Sequence, residues 1–419
     1  MKKNLKQFFG SYGELPQSIY ILFLARIINA MGNFVYPFMA ILLTQKLHFT
    51  SEKAGLYMLI FMLLAVPGAM LAGKLTDHFG RKKLLLWANL LSATCFALCG
   101  FCKRLELMPW FLMAASFFSN MVHPISSAMV ADLTNPENRK IAYSLLYLGI
   151  NFGTAIGPAI AGFLYQHYFR WIFWGDALTT LLAMSLIGCL LPESAPHLNA
   201  SKNSINNGAE AAVKGGLWRA LLARPLLLGF SLVMIIFSFV YAQGDFTLPL
   251  QVDRLFGVHG AQLFGFLMTV NAITVLVCTT FCNLLTKRNL PLVNLIWAGF
   301  FYAVGFGMLY LVQSYTWLVL STIIWTIGEV LMATNSGTYL ANHAPMSHRG
   351  RFNAVLSIFM GTGRAISPCL MGIFIKSHSF KQAWVLVGGL ACLGLLLMLW
   401  LAGLERRQGV KGHGLEASN

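Results

Sequence analysis

Apolar residues run along this chain in blocks too long for the strands and helices of a soluble core. A helical membrane crossing needs about 20 mostly apolar residues. Twelve such blocks follow one another, at 18–42, 54–74, 83–102, 108–131, 141–165, 171–191, 225–250, 261–284, 290–312, 316–340, 352–376 and 382–403. Within a bilayer a helix satisfies its own backbone hydrogen bonds, so the pattern predicts an all-α membrane protein with 12 transmembrane helices. The longest polar interruption, Pro192 to Gly216, is rich in Asn, Ser, Ala and Gly and divides six spans from six. Five segments follow: an interfacial N-terminal piece over 1–17, a six-helix bundle over 18–191, a flexible linker over 192–224, a second six-helix bundle over 225–403 and a tail over 404–419. Residues 1–17 carry Lys2, Lys3 and Lys6 beside Phe8, Phe9 and Tyr12, which suits a surface segment rather than a cleaved signal.

Composition agrees with the pattern. Of 419 residues, 57% are hydrophobic and 11% charged, where a soluble domain carries about 25% charged residues. The formal charge of +16 comes from 30 Lys and Arg against 14 acids. Interleaved with apolar blocks, this excess reads as loop charge, not as a nucleic-acid surface. Twenty of the basic residues fall in the tails and even-numbered connections, eight in the odd-numbered connections and two within spans. By the positive-inside rule both termini are cytoplasmic. The eight cysteines lie in or at the ends of apolar runs. They read as buried free thiols packing as small hydrophobes, and neither a metal site nor a cofactor is expected.

The halves repeat at an offset of 210 residues. Ile156-Gly-Pro-Ala-Ile-Ala-Gly-Phe-Leu164 aligns with Ile366-Ser-Pro-Cys-Leu-Met-Gly-Ile-Phe374, Gly55 with Gly265, and Leu75-Thr76 with Leu285-Thr286. Paired bundles of this kind hold substrate between them near the bilayer midplane and rock about that site.

The connection between spans 2 and 3 reads Gly73-Lys-Leu-Thr-Asp77-His-Phe-Gly80-Arg81-Lys-Lys83. It resembles the loop signature G-x-L-x-D-x-x-G-R-(R/K) of the major facilitator superfamily, and the resemblance extends over essentially the whole chain. It implies a conformational latch of Gly73, Asp77, Gly80 and Arg81, in which the carboxylate faces the arginine and a neighbouring helix terminus. The second half retains only Asn283-Leu-Leu-Thr-Lys-Arg288, without the acid, so that copy of the latch is lost. Span 5 carries Gly153-Thr-Ala-Ile-Gly157-Pro158-Ala-Ile-Ala161-Gly162, similar to the antiporter motif G-x-x-x-G-P-x-x-G-G with Ala161 in place of one glycine. Small residues four apart permit close helix contact and proline bends the span. Gly153, Gly157, Pro158 and Gly162 are thereby implied in packing that resists leaks and favours efflux. The arginine that drug exporters often carry early in span 4 is absent, since Pro109 to Val130 contains no Arg or Lys.

A charge at the bilayer centre costs about 2.5–3.5 kcal/mol on insertion scales, so charged residues within spans mark candidate chemistry. In span 1, Arg26 is followed by Asn29, Asn33 and Tyr36 at helical spacing, which predicts one shared face. Arg26 either binds an anionic substrate group or a gate carboxylate, or is held structurally by Asp132 or a carbonyl. In span 10, Trp325, Glu329, Met332 and Ser336 form a stripe. A buried carboxylate can hold a proton near neutral pH, which makes Glu329 the candidate proton carrier, with Arg364 of span 11 as partner or competitor. Asp245 and Tyr241 at the end of span 7 are candidate gate and cavity residues, and Asp176 of span 6 reads as a packing or interfacial carboxylate. Span 4 offers an uncharged stripe of Ser116, Asn120, His123 and Ser127. Abundant Phe (32) and Met (19) would suit an adaptable apolar cavity.

The sequence contains no phosphate-binding G-x-x-x-x-G-K-[ST] loop and no zinc-protease, nucleophile-elbow or kinase motif, so an enzyme is not expected and transport energy must come from a gradient. The leading expectation is a monomeric, proton-coupled exporter of small amphipathic compounds in a bacterial inner membrane, with substrate, protons and lipid as partners. The alternatives are a symporter or lipid translocator for an anionic substrate, and a non-transporting membrane sensor.

Overall fold

The computed structural model of the chain describes residues 15–193, 225–286, 289–343 and 349–416. Most of the expected N-terminal segment and linker therefore lies outside the described residues. The described chain is helical throughout its ordered elements. Among the described residues, eleven helical runs are long and apolar enough to cross a membrane, and ten correspond to single expected spans. The remaining run, Pro225–Thr279, is 55 residues long. That is about 80 Å of helix, more than twice the hydrocarbon thickness of a bilayer. It covers the helices Pro225–Tyr241 and Thr247–Phe256 and most of Gly260–Thr286, joined by 3-10 turns. It thus holds spans 7 and 8, completing twelve.

Local chemistry explains several boundaries. Span 5 starts at Pro136, whose missing N–H costs nothing at a helix start. Asn135 and Asn138 close a reciprocal capping box around it. Span 3 starts immediately after Gly80, whose φ of +84° is left-handed backbone that glycine adopts without strain. The Glu193 carboxylate, from the end of span 6, accepts the backbone N–H groups of Lys82 (2.9 Å) and Lys83 (3.4 Å). It thereby satisfies donors that the first helical turn leaves free.

The chain divides into two compact units. One takes the first half of the sequence except Thr50–Leu59, together with Val252–Ala272 from the second. In it span 1 packs on spans 5 and 6, span 3 on spans 4 and 6, and span 2 on span 4. Its core includes Ile19, Leu22, Leu85, Ile125, Met129 and Ile187. The other unit takes the second half except Val252–Ala272, together with Thr50–Leu59. There span 7 packs on spans 11 and 12, and span 9 on spans 10 and 12. Phe230, Phe237, Phe306 and Trp384 are fully buried in it. The indole N–H of Trp384 donates to Gln251 Oε1 at 2.7 Å.

The 210-residue repeat reappears in these contacts. In the first unit, Gly265 of span 8 lies against the Pro158 carbonyl, and Gly162 of span 5 against Ala261 and Gln262. In the second, Gly55 of span 2 lies against the Pro368 carbonyl, and Gly372 of span 11 against Ser51 and Glu52. Every residue of the first set is 210 positions from its counterpart in the second. A Cβ on Gly265 or Gly55 would sit 2.3 or 2.1 Å from the facing carbonyl oxygen, so backbone-to-backbone approach requires glycine at both places.

Two sequence expectations are corrected. Span 1 is not one continuous helix. It ends at Met31, with Gly32 as its cap, and resumes in a 3-10 turn at Tyr36–Phe38. Span 7 breaks at the equivalent place: its helix ends at Tyr241 and a 3-10 turn covers Ala242–Gly244. Asn33 and Tyr36 consequently do not share a continuous helical face with Arg26 and Asn29. The eight cysteines are free thiols, but only Cys99 is buried, while Cys189 and Cys392 are exposed. Their apolar neighbours on the outer surface of the helices account for those positions.

Candidate functional site

Polar side chains within the spans collect in one cluster in each unit. In the second unit the cluster surrounds the break in span 7. Tyr241, the last residue before the break, donates its hydroxyl to Glu329 Oε1 at 2.8 Å. Asp245, just beyond the break, pairs through Oδ2 with Arg364 Nη2 at 3.1 Å. The Arg364 guanidinium lies over the Tyr241 ring, 5.1 Å from its centre. A cation over an aromatic face is attracted by the ring quadrupole. Four charged or hydroxyl-bearing groups from spans 7, 10 and 11 are thus linked through one tyrosine. The sequence left Arg364 as partner or competitor of Glu329; its ion pair with Asp245 adds a second carboxylate that the sequence reading had not joined to it.

Glycines set this geometry. A Cβ at Gly305 would fall 2.6 Å from the Trp325 backbone nitrogen, and one at Gly328 would fall 2.8 Å from the Tyr302 ring. Spans 9 and 10 therefore approach closely beside Glu329. Trp325 stacks on Phe306 with centroids 5.3 Å apart and meets Tyr241 edge-on at 6.0 Å. Its indole nitrogen is buried without a hydrogen-bond partner. Met332 and Ser336 continue the stripe and are buried. Behind the cluster, buried Gln243 donates to Ser367 Oγ and accepts from Thr247 Oγ1, tying span 7 to span 11.

In the first unit, Arg26 and Asn29 face a small cavity of about 30 Å³ with Leu22, Asn89, Ser126 and Met184 among its lining residues. Asn29 Nδ2 donates to Thr180 Oγ1 at 3.4 Å and Asn89 Nδ2 to the Leu85 carbonyl at 2.9 Å. Asp132, one expected partner for Arg26, is instead paired with Arg81 at 2.9 Å. The span 4 stripe divides by role. Ser116 is buried and bonds the Phe61 carbonyl at 3.4 Å, and Asn120 bonds back to the Ser116 carbonyl at 2.8 Å. His123 is exposed, and Ser127 meets the Tyr143 hydroxyl at 3.2 Å. Asn33 is exposed, and the Tyr36 ring lies 6.1 Å from that of Phe61.

Asp176, expected as a packing or interfacial carboxylate, is buried, and it lies beside Phe34 and Val35, where span 1 is broken. The signal of the break available in the sequence was Gly32-Asn33 upstream of Pro37, all within an otherwise apolar span.

Of the latch residues, Arg81 bonds Asp132 and the Thr76 carbonyl at 3.2 Å. Gly80 forms the left-handed turn, and Gly73 has open space at its Cβ position. The Asp77 side chain lies outside the described residues. Of the span 5 glycines, Gly153 and Gly157 lie against Ala30 and Met31 of span 1, whereas Pro158 and Gly162 meet span 8.

Multiple membrane-length helices, buried polar clusters within them and a repeated backbone contact together define a membrane transporter rather than an enzyme. The chain belongs to the Major Facilitator Superfamily, whose sequence pattern it matches over residues 22–300 and 247–417. Among its relatives, the uncharacterized MFS-type transporter YqjV of Bacillus subtilis (strain 168) is 26% identical, over 86% of this chain and 87% of the relative. The Na(+), Li(+), K(+)/H(+) antiporter of Planococcus maritimus is 23% identical over 88% and 91%. Multidrug resistance protein 1 of B. subtilis is 27% identical over 78% and 82%. The fold is similar to that of the peptide transporter POT in complex with sulfate, with a TM-score of 0.74, 14% identity and coverage of 94% and 95%. The protein is accordingly a multi-pass membrane transporter that moves small molecules.

Proposed function

We propose that this transporter is a proton-driven exporter of small amphipathic compounds that works as a monomer by alternating access in a bacterial plasma membrane, with both termini cytoplasmic. The observation that carries the reading is the Tyr241–Glu329 hydrogen bond beside the Asp245–Arg364 ion pair. Protonation of Glu329 would change the charge beside Arg364. The arginine could then exchange between two carboxylates, on spans 7 and 10. A local change in pairing can move an equilibrium between two backbone arrangements only if the two states bind the proton differently. The break in span 7 beside Asp245 supplies a backbone element able to respond. The repeated glycine contacts are the surfaces that would form and part in each cycle. Relatives named as an antiporter and as a multidrug resistance protein support this direction.

The test is transport by the purified protein in proteoliposomes with an imposed pH gradient, against anionic, neutral and cationic amphipathic dyes. Gradient-dependent accumulation that an uncoupler abolishes is expected. Accumulation indifferent to the uncoupler would remove the proton from the scheme. A second reading, a symporter or lipid translocator for an anionic substrate, is favoured by Arg26, which has no acidic neighbour in its cavity. It predicts that substrate and protons move in the same direction across the liposome membrane.

A further inference from the structure

Span 3 ends in Cys99-Gly100-Phe101-Cys102, a Cys-x-x-Cys spacing. Its geometry goes beyond the expectation of thiols that only pack. The helix Arg81–Phe101 stops one residue before Cys102, whose backbone N–H donates to the Cys99 carbonyl at 3.3 Å. At this spacing on a helix, Cβ atoms lie about 5–6 Å apart, and a disulfide needs about 3.5–4.5 Å. Cys102 has left the helix, with ψ of 118°, so it can close the difference without unwinding span 3. The thiols are near enough that charge on Cys102 acts on Cys99. They differ in access. Cys99 is 1% exposed, and its thiol points to the Met108 carbonyl at 4.0 Å, where span 4 begins. Cys102 is partly exposed, and its thiol donates to the Arg104 carbonyl at 2.9 Å. Span 6 holds the turn in place. A Cβ on Gly100 would fall 2.2 Å from Trp174 Nε1, and the Phe101 ring lies 5.2 Å from that of Trp174. Among the described residues no group of three or more His, Cys, Asp or Glu is placed to hold a metal, so the pair is read by its thiol chemistry.

We propose that Cys99 and Cys102 form a reversible thiol–disulfide site at the end of span 3, oxidised by small soluble disulfides. With both termini cytoplasmic this end of span 3 faces outward, where disulfides persist. The partly exposed Cys102 thiol gives its proton to water, and the thiolate attacks one sulfur of the soluble disulfide. A mixed disulfide forms on Cys102, and one soluble thiolate leaves and is protonated. Cys99 then loses its proton and attacks the Cys102 sulfur, and the second soluble thiol departs. Two protein thiols are oxidised and one soluble disulfide is reduced to two thiols. The product ties the last turn of span 3 to the connection that leads into span 4 and withdraws the Cys102 donor from Arg104. The pair sits at a helix C-terminus, where the backbone dipole does not favour a thiolate. It therefore responds to sustained oxidation and is not a rapid catalyst of disulfide exchange.

The experiment incubates the full-length protein in phosphatidylcholine nanodiscs with oxidised glutathione, then alkylates it with N-ethylmaleimide, digests it and maps the cysteines by mass spectrometry. The wild-type peptide that holds Cys99 and Cys102 is expected to lose two hydrogens and take up no alkyl group. After dithiothreitol it should take up two. Cys99→Ser should trap the mixed glutathione disulfide on Cys102, because the second attacking thiol is gone. Cys278 and Cys282 of span 8 provide a reference in the same sample. They stand four positions apart inside the helix Gly260–Thr286, with no helix end to give way, and should remain open to alkylation. Because the wild type carries the decisive measurement, a variant that fails to fold does not spoil the test. Two alkylated thiols after oxidation would overturn the assignment. So would a stable glutathione adduct on wild-type Cys102, a bond from either residue to a different cysteine, or equally ready linking of Cys278 to Cys282. The readout is chemical, so loss of proton coupling at Glu329 would leave this site standing.

Discussion

At Gly32 a single hydrogen atom in place of a side chain permits the break in span 1. A Cβ there would fall 1.7 Å from the Thr179 hydroxyl oxygen, far inside contact distance. Gly32→Ala should therefore destabilise the protein by about 1–3 kcal/mol, the usual cost of overpacking. The thermal midpoint in detergent should fall, and Thr179→Gly in the same chain should restore part of the loss. An unchanged midpoint would mean that span 1 runs differently past span 6. Tyr241 is the corresponding residue at the break in span 7. Removing its hydroxyl in Tyr241→Phe leaves the Glu329 carboxylate without that donor. Hydrogen bonds to charged groups contribute about 1.5–3 kcal/mol. Gradient-driven transport should fall tenfold or more while the protein still elutes as a folded species. The sequence exposed the residues of both clusters, because a charge in an apolar run is conspicuous. It did not expose their pairing. Arg364 has carboxylates on spans 7 and 10 within its neighbourhood, and which of them it meets depends on helix rotation and on the turn at Ala242–Gly244, neither of which is written in local spacing.

Among the elements, the spans were the most legible, because each must satisfy the bilayer over its full length. Breaks within spans were less so. Span 1 stays apolar through Phe34 and Val35 at its break, and Asp176, the acid buried beside that break, is about 140 residues away. The paired glycine contacts could be read in part. Gly55 and Gly265 align by offset, but their partners, the carbonyls of Pro368 and Pro158, emerge only from the fold. The repeat predicts equal consequences at both places. Gly55→Val and Gly265→Val should each reduce transport by a similar factor, since each forces a β-branched side chain against a carbonyl. A strong effect at one position alone would show that the two contacts do not act as equivalents. At the end of span 11, Lys376 Nζ lies 2.5 Å from Glu52 Oε2. In a chain whose native cysteines are replaced, Glu52→Cys with Lys376→Cys should form an intramolecular disulfide on mild oxidation, detected as a mobility shift after cleavage between the two positions. Added substrate and a pH gradient should change its yield if these surfaces part during transport.

For the molecule as a whole, backbone symmetry and chemical asymmetry occur together. Helix breaks and glycine contacts recur at an offset of 210 residues. The ionisable groups do not: Arg26 corresponds to Ile236, Glu329 to Ser119 and Arg364 to Thr154. A repeated framework with its charges distributed unequally allows one half to bind substrate and the other to titrate. The central claim of this division is that Glu329 couples proton movement to transport without being needed for binding. Its most direct test compares two assays on Glu329→Gln in proteoliposomes: exchange of labelled substrate at equal pH, and accumulation driven by a pH gradient. Preserved exchange with gradient-driven accumulation lost is the predicted result. Accumulation equal to that of the wild type would contradict the account.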